Sequence, residues 1–318
     1  RNPGAVHQMN TTARQGKEPG AAQRQERMKP SDIIDMTVLA ALWGASFMLM
    51  RFASPAFGPI PLAALRVIGA SLFLVPLLLM RGQAGELRKH WRPLLVVGIT
   101  NSTLPFICFS YAALSITAGM SAIFNAATPL FGAVIAWWWL RDGLTRQRVA
   151  GLAIGFSGVL WMAWHQASFK PGGTGWAVVV CLAAPLLYGL SASYTKRFLT
   201  GVPSLTVAAG SLLAAALLLC VPAVVWWPAV APSAADWGAA VFLALACTAL
   251  AYVLFFRLIA NVGPARTITV TFLIPAFALL FGWLLLGEAL TPRMFGGCAV
   301  ILIGTGFATG LLTLRARR

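Results

Sequence analysis

Residues 129–160 read PLFGAVIAWWWLRDGLTRQRVAGLAIGFSGVL, and residues 275–306 read PAFALLFGWLLLGEALTPRMFGGCAVILIGTG. The second stretch repeats the first 146 positions later without a gap. Pro129 falls on Pro275, Phe131 on Phe277, Trp137 on Trp283 and Leu140 on Leu286. Leu144 and Thr145 fall on Leu290 and Thr291, then Gly151 on Gly297, Ala153 on Ala299 and Gly158 on Gly304. That makes nine identities in 32 positions, and Asp142 meets Glu288 as a conservative match. A weaker match, offset by 145, sets Trp43-Gly44-Ala45-Ser46 against Tyr188-Gly189-Leu190-Ser191. Shared hydrophobicity alone does not readily give nine identities, so one unit occurs twice.

Composition says where those units live. Of 318 residues, 59% are apolar and only 10% charged, against about 25% charged in an ordinary soluble domain. Apolar stretches near the ~20-residue length that crosses a bilayer fall at ten places. They are 33–51, 60–80, 94–114, 119–140, 148–165, 175–196, 204–227, 238–257, 265–286 and 294–314. The predicted fold is an all-α integral membrane protein with ten transmembrane helices. Residues 1–31 have no apolar core and read as a disordered cytoplasmic tail, neither signal peptide nor span. The biological start is expected at Met9 or Met28. The cysteines Cys108, Cys181, Cys220, Cys247 and Cys298 all fall in apolar stretches without a CxxC pair, and read as packing residues.

The net charge of +16 comes from 24 Lys and Arg against 8 Asp and Glu. With the amino terminus placed in the cytoplasm, twenty of the 24 lie on the inner side. Outside are Arg51, Lys170 and Arg293, while Arg66 lies within the second stretch. Cytoplasmic loops retain Lys and Arg, so both termini are expected in the cytoplasm. The surplus records insertion and gives no reason to expect a nucleic-acid partner.

Five crossings per unit is an odd number, so the second copy must run opposite to the first. Inverted repeats of this kind build many secondary transporters, with a substrate site near the midplane between the halves. Here the sequence resembles a known family, the drug/metabolite transporter superfamily in its ten-helix form with two EamA-type domains. The resemblance rests on Leu42-Trp43-Gly44-Ala45-Ser46-Phe47, on Arg66, and on Pro129 with the Leu140–Thr145 segment and the glycines after it. The second copy supplies Pro275, Leu285-Leu286-Gly287-Glu288, Leu290-Thr291 and the glycines that follow. It divides the chain into five-helix units at 32–166 and 174–314. It implies export of amino acids or other small metabolites across a bacterial inner membrane, through a cavity between the repeats.

Individual residues carry alternatives. Arg66 is the one basic residue well inside a stretch, and an ionisable group there is a site hypothesis by default. It binds a substrate carboxylate or phosphate, or it snorkels to the outer interface or anchors loop carbonyls. The resemblance places Arg here in members with different substrates, which favours the structural reading. No Asp or Glu occupies the centre of any stretch, so proton coupling is unsupported and facilitated diffusion or exchange gains. Asp142 and Glu288 are expected to pair with nearby Arg or cap the next helix. Ser46, Ser191, Asn101, Thr103, Asn125 and Thr271 are polar cavity candidates, several of them just before Pro105, Pro129 or Pro275. A proline frees an upstream carbonyl, which membranes tolerate only where other groups satisfy it. Matching prolines in the fourth and ninth stretches point to the midplane site. The null for the hydroxyls is bonding to their own helix. Trp43, Tyr188 and Tyr252 are either an aromatic wall or packing. The glycines of the fifth and tenth stretches read as scaffold or homodimer contacts.

The main reading is a secondary carrier exporting small organic metabolites, amino acids first, by alternating access. It has the bilayer as its surroundings, a small molecule as its partner, and no metal or cofactor. Alternatives are efflux of hydrophobic or cationic drugs and a lipid-flippase-like role. An enzyme is not expected, because no intramembrane acid–base cluster or phosphate loop is visible.

Overall fold

The computed structural model describes residues 29–312, and among these it is all helix and turn with no strand. Most of the expected tail lies outside the described residues. In chain order the helices are α1 (Pro30–Phe57), α2 (Pro59–Met80), the short α3 (Ala84–Lys89) and α4 (Trp91–Ala112). Then come α5 (Ala118–Leu140), α6 (Arg146–Gln166), α7 (Gly175–Phe198), α8 (Ser204–Val225) and α9 (Ala234–Val262). The chain closes with the one-turn α10 (Pro264–Thr267), α11 (Val270–Leu286) and α12 (Pro292–Thr309).

Seven of these, α1, α2, α4, α5, α7, α8 and α9, are long and apolar enough to cross a membrane. The stretch expected at 265–286 is divided, and its main part, α11, has only 17 residues. Helices α6 and α12 form where expected, with 21 and 18 residues, but Arg, Gln and Gly dilute their apolar character. The fold is therefore a multi-pass helical membrane protein. Its rim agrees: Met80, Trp164 and Leu72 are more than 70% exposed, a surface that only lipid covers without penalty.

Local chemistry sets the helix ends. Thr145 and Thr291, 146 apart, cap α6 and α12 alike, each hydroxyl accepting from the N–H three residues on, at 3.3 Å. Pro292 takes the first helical position, where its missing N–H costs nothing. Ser233 and Asp236 form a reciprocal capping box at the start of α9.

Packing follows the repeat. Helix α1 packs on α11 as α7 packs on α5, and α4 meets α7 as α9 meets α1. Helices α2 and α8 pair with each other, as do α6 and α12. Each of these contacts joins one half to the other. Two are made by glycine against backbone. A Cβ on Gly44 would fall 2.6 Å from Phe277 Cβ and 3.0 Å from Ala278 N; one on Gly189, 145 positions on, would fall 2.7 Å from Gly132 N. The glycines Gly151, Gly155 and Gly304 interlock in the same way, so that a Cβ on Gly304 would overlap the Gly155 backbone. These small residues are consumed within one chain, as scaffold.

Two helices contain a π turn, at Gly98–Thr103 in α4 and Leu245–Leu250 in α9. They lie 147 positions apart, so this is a repeated feature. In α4 the turn ends two residues before Pro105, which cannot donate to Asn101. In α9 no proline follows; Thr248 instead donates to Leu243 O at 2.8 Å.

The matching prolines behave differently. The α5 rod is broken at Ala126–Ala127, and Pro129 starts its second part. The freed Asn125 carbonyl accepts from the Thr128 hydroxyl at 2.7 Å. Pro275 sits inside an unbroken α11, and the break lies earlier, between Thr267 and Val270.

Gly304→Val should force α6 and α12 apart and destabilise the protein by about 2 kcal/mol, the scale of an overpacked core. Thermal unfolding in detergent would show this as a lower midpoint, while Gly238→Val, with open space around it, should leave the midpoint in place.

Candidate functional site

The two π turns face the interior of the bundle, and the polar side chains gather around them. Asn101, on the first, donates from Nδ2 to the Tyr252 hydroxyl at 3.1 Å. Thr248, on the second, accepts from Arg66 Nε at 2.9 Å. A π turn places one extra residue in the helical path and re-aims the side chains after it. That explains how one face of α4 and one of α9 present polar groups that a regular helix would turn away. The Tyr252 ring continues as a stack on Phe256, with centroids 5.9 Å apart.

Arg66 is the centre of the group. It is 6% exposed, and its hydrogen bonds go to the side chains of Thr248 and Met50 and not to a loop carbonyl. Its guanidinium lies 3.8 Å from the centre of the Phe106 ring, a cation–π distance. Its Nη1 points at Met50 Sδ, 3.6 Å away, a weak acceptor. Tyr188 and Tyr252 pack against the same apolar cluster as Phe106. Of the five N–H donors of Arg66, one meets an oxygen and one a sulfur. Among the described residues, no carboxylate lies within ion-pair distance of it. Tyr188 joins this centre to the apolar core through Phe109, at 6.1 Å, which in turn meets Phe47 edge-on at 5.2 Å.

The structure thus brings Arg66, Asn101, Tyr188 and Tyr252 together. Thr103 is close by in sequence, at the end of the first π turn, where its hydroxyl and that of Ser102 are buried without a hydrogen bond. The other candidates are engaged elsewhere. Ser46 bonds its own helix at Trp43 O, 2.7 Å away, and Thr271 bonds Ile268 O in the turn just before α11, 2.8 Å away. Trp43 packs on Phe255, with centroids 5.4 Å apart. Asn125 sits at the break in α5, its Oδ1 3.4 Å from the Thr128 hydroxyl. Ser191 is buried in α7. Sequence reading passed over Thr248, Phe106 and Met50. Thr248 carried one signal: it lies 147 positions after Asn101, close to the repeat offset.

The acids at the helix ends meet expectation in part. Asp142 pairs with Lys196, at 2.8 Å, and not with an arginine. Glu288 lies 3.9 Å from Arg51 but caps α5 from across the bundle, accepting from Ala118 N at 2.9 Å. Its own next helix is capped by Thr291.

A cleft of about 390 Å³ opens between α2 and α9 on the outer surface of the bundle. Leu65, Leu72, Phe73, Trp237 and Val241 are among its walls, and none of the ten candidate residues lines it.

The sequence profile described as "EamA-like transporter family" matches residues 33–164 and again 175–310. A relative in Bacillus subtilis, "Uncharacterized transporter YvbV", is 25% identical over 272 residues, covering 84% of this chain and 88% of the relative. A protein of Streptantibioticus cattleyicolor named "Probable terminal-alkyne amino-acid exporter" is 27% identical over 283 residues, covering 87% and 93%. A solved crystal structure aligns with a TM-score of 0.63 at 21% identity, covering 89% of this chain and 98% of the other. It shares the fold.

If the Asn101–Tyr252 bond couples the halves, a double-mutant cycle with Asn101→Leu and Tyr252→Phe should give about 0.6 kcal/mol of interaction, as interhelical bonds in membranes do. Unfolding of the four proteins in detergent measures it; strict additivity would count against the bond.

Proposed function

The chain belongs to the EamA-like transporter family, and from that premise we propose that it is a secondary transporter exporting small organic metabolites, amino acids first. It works by alternating access between two inverted five-helix halves, 32–166 and 174–314, with ten crossings in all. It sits in a bacterial inner membrane with both termini in the cytoplasm. The inward bias of Lys and Arg supports that orientation, and the cross-paired packing of the halves supports the inverted design.

One observation carries the choice of substrate: Arg66, buried with three N–H donors unused and, among the described residues, no carboxylate to balance it. A charge in a membrane interior costs several kcal/mol unless it is paired. A substrate carboxylate supplies the missing partner, as two parallel N–H···O bonds to the fork of the guanidinium. Tyr188, Tyr252 and Phe106 offer apolar and aromatic surface beside it for the rest of the molecule. A cationic drug would meet like charge here and no acid, which counts against the efflux reading. The amino-acid exporter among the relatives points the same way. A second reading, lipid handling, is favoured by the apolar cleft between α2 and α9, which would admit an acyl chain from the side.

The test is transport by the purified protein in liposomes. Labelled amino acids should enter, and unlabelled amino acids should compete about tenfold better than their amides, the worth of one charged hydrogen bond. Arg66→Gln should abolish that preference and Arg66→Lys should retain part of it. Equal competition by amides in the native protein would refute the carboxylate site. Movement of a labelled lipid without any amino acid would establish the second reading.

A further inference from the structure

The two acids after α5 and α11 stand in equivalent places but are used unequally. Each helix ends on a left-handed residue, Arg141 at φ 60° and Gly287 at φ 65°. The N–H of the acid that follows returns to the carbonyl six positions earlier, Ala136 for Asp142 and Gly282 for Glu288. The basic partners are equivalent too, since Arg51 on α1 and Lys196 on α7 are 145 positions apart. The ion pairs Arg51–Glu288 and Lys196–Asp142 are therefore one interaction made twice. They lie at opposite ends of α5, which starts at the amide Glu288 holds and stops just before Asp142. Its 23 residues span about 34 Å, so the two pairs sit on opposite sides of the membrane.

Glu288 is deeply engaged. Its side chain is 9% exposed, 3.9 Å from Arg51 Nε, and accepts from Ala118 N at 2.9 and 3.1 Å and from Gly119 N at 3.5 Å. Arg51 Nη1 also donates to Ala113 O at 2.5 Å. One carboxylate thereby ties the end of α11 to the start of α5, where free N–H groups and the helix dipole favour an anion. Among the described residues Asp142 has only Lys196, and the pair is 42% and 62% exposed, the kind of surface contact worth little. The sequence explains the inequality. The positions equivalent to Ala118 and Gly119 are Pro264 and Ala265. Proline has no N–H to give, and Asp is one methylene shorter than Glu.

We propose that Arg51–Glu288 and Lys196–Asp142 are the two gates of the carrier, and that their unequal strength sets its resting state. The Glu288 gate is held shut and the Asp142 gate opens readily. This rests on the transporter reading above but not on its substrate. With the orientation proposed there, the weak gate faces the cytoplasm, so the resting protein offers its site to molecules about to leave the cell.

Accessibility tests this without any substrate. In a variant whose five cysteines are alanine, Ser121→Cys lies one turn inside the Glu288 gate. Thr267→Cys, 146 positions on, is the repeat-equivalent probe for the other. Both native residues are buried. Glu288→Gln should speed labelling of Ser121→Cys by an impermeant thiol reagent about tenfold, with no rise at Thr267→Cys. Asp142→Glu combined with Pro264→Ala restores the missing methylene and donor, and should slow labelling of Thr267→Cys. If Glu288→Gln does not fold, that second variant decides alone. Equal change at both probes, or none at either, would overturn the proposal, as would an unaltered Thr267→Cys rate in the double variant.

Discussion

Hydrocarbon supplies no hydrogen bonds, so every polar group carried into it must be answered by protein. This requirement shapes the chain from end to end. Helices answer the backbone, and hydroxyls such as Ser46 and Thr271 bend back to their own carbonyls. Where proline removes a donor, a neighbour takes over, as Thr128 does for Asn125. Exceptions give the site its meaning: Arg66, a fixed positive charge with most of its donors unanswered, and the buried hydroxyls of Ser102 and Thr103, without a partner.

The repeat shows how far similar sequence dictates similar structure. The caps at Thr145 and Thr291 are the same device, and so are the π turns 147 positions apart. Yet the first π turn precedes a proline and the second relies on a threonine hydroxyl. Pro129 follows a break, whereas Pro275 lies within a continuous helix. Equivalent geometry arises from different chemistry, and identical residues adopt different roles, because tertiary contacts choose among local options of similar energy.

That is also why the sequence was legible in parts. Apolar length, the repeat and the cap at Thr291-Pro292 are local or periodic signals. Seven of the ten apolar stretches form helices long and apolar enough to cross, and the repeat and the cap recur in the structure. Asn101, Tyr188 and Tyr252 were recognisable as polar or aromatic groups in apolar surroundings. Their meeting was not, because it depends on π turns that no pattern of residue types announces. The hydroxyls of Ser46 and Thr271 bond backbone carbonyls three residues back and Trp43 packs on Phe255, since a side chain's choice between local and distant partners is decided by what lies opposite. Thr248 was overlooked for the converse reason, as an ordinary residue made central by its partner.

The interlocked glycines of α6 and α12 have a mechanical consequence. Gly151, Gly155 and Gly304 let these helices touch backbone to backbone, which makes the pair the least yielding seam between the halves. Each begins only a few residues after a gate acid, α6 after Asp142 and α12 after Glu288. The seam is then a fulcrum with two short arms, pointing to opposite faces of the membrane. With both ion pairs made, as here, the seam holds its two ends level, and a small tilt about it would strain one pair while relieving the other.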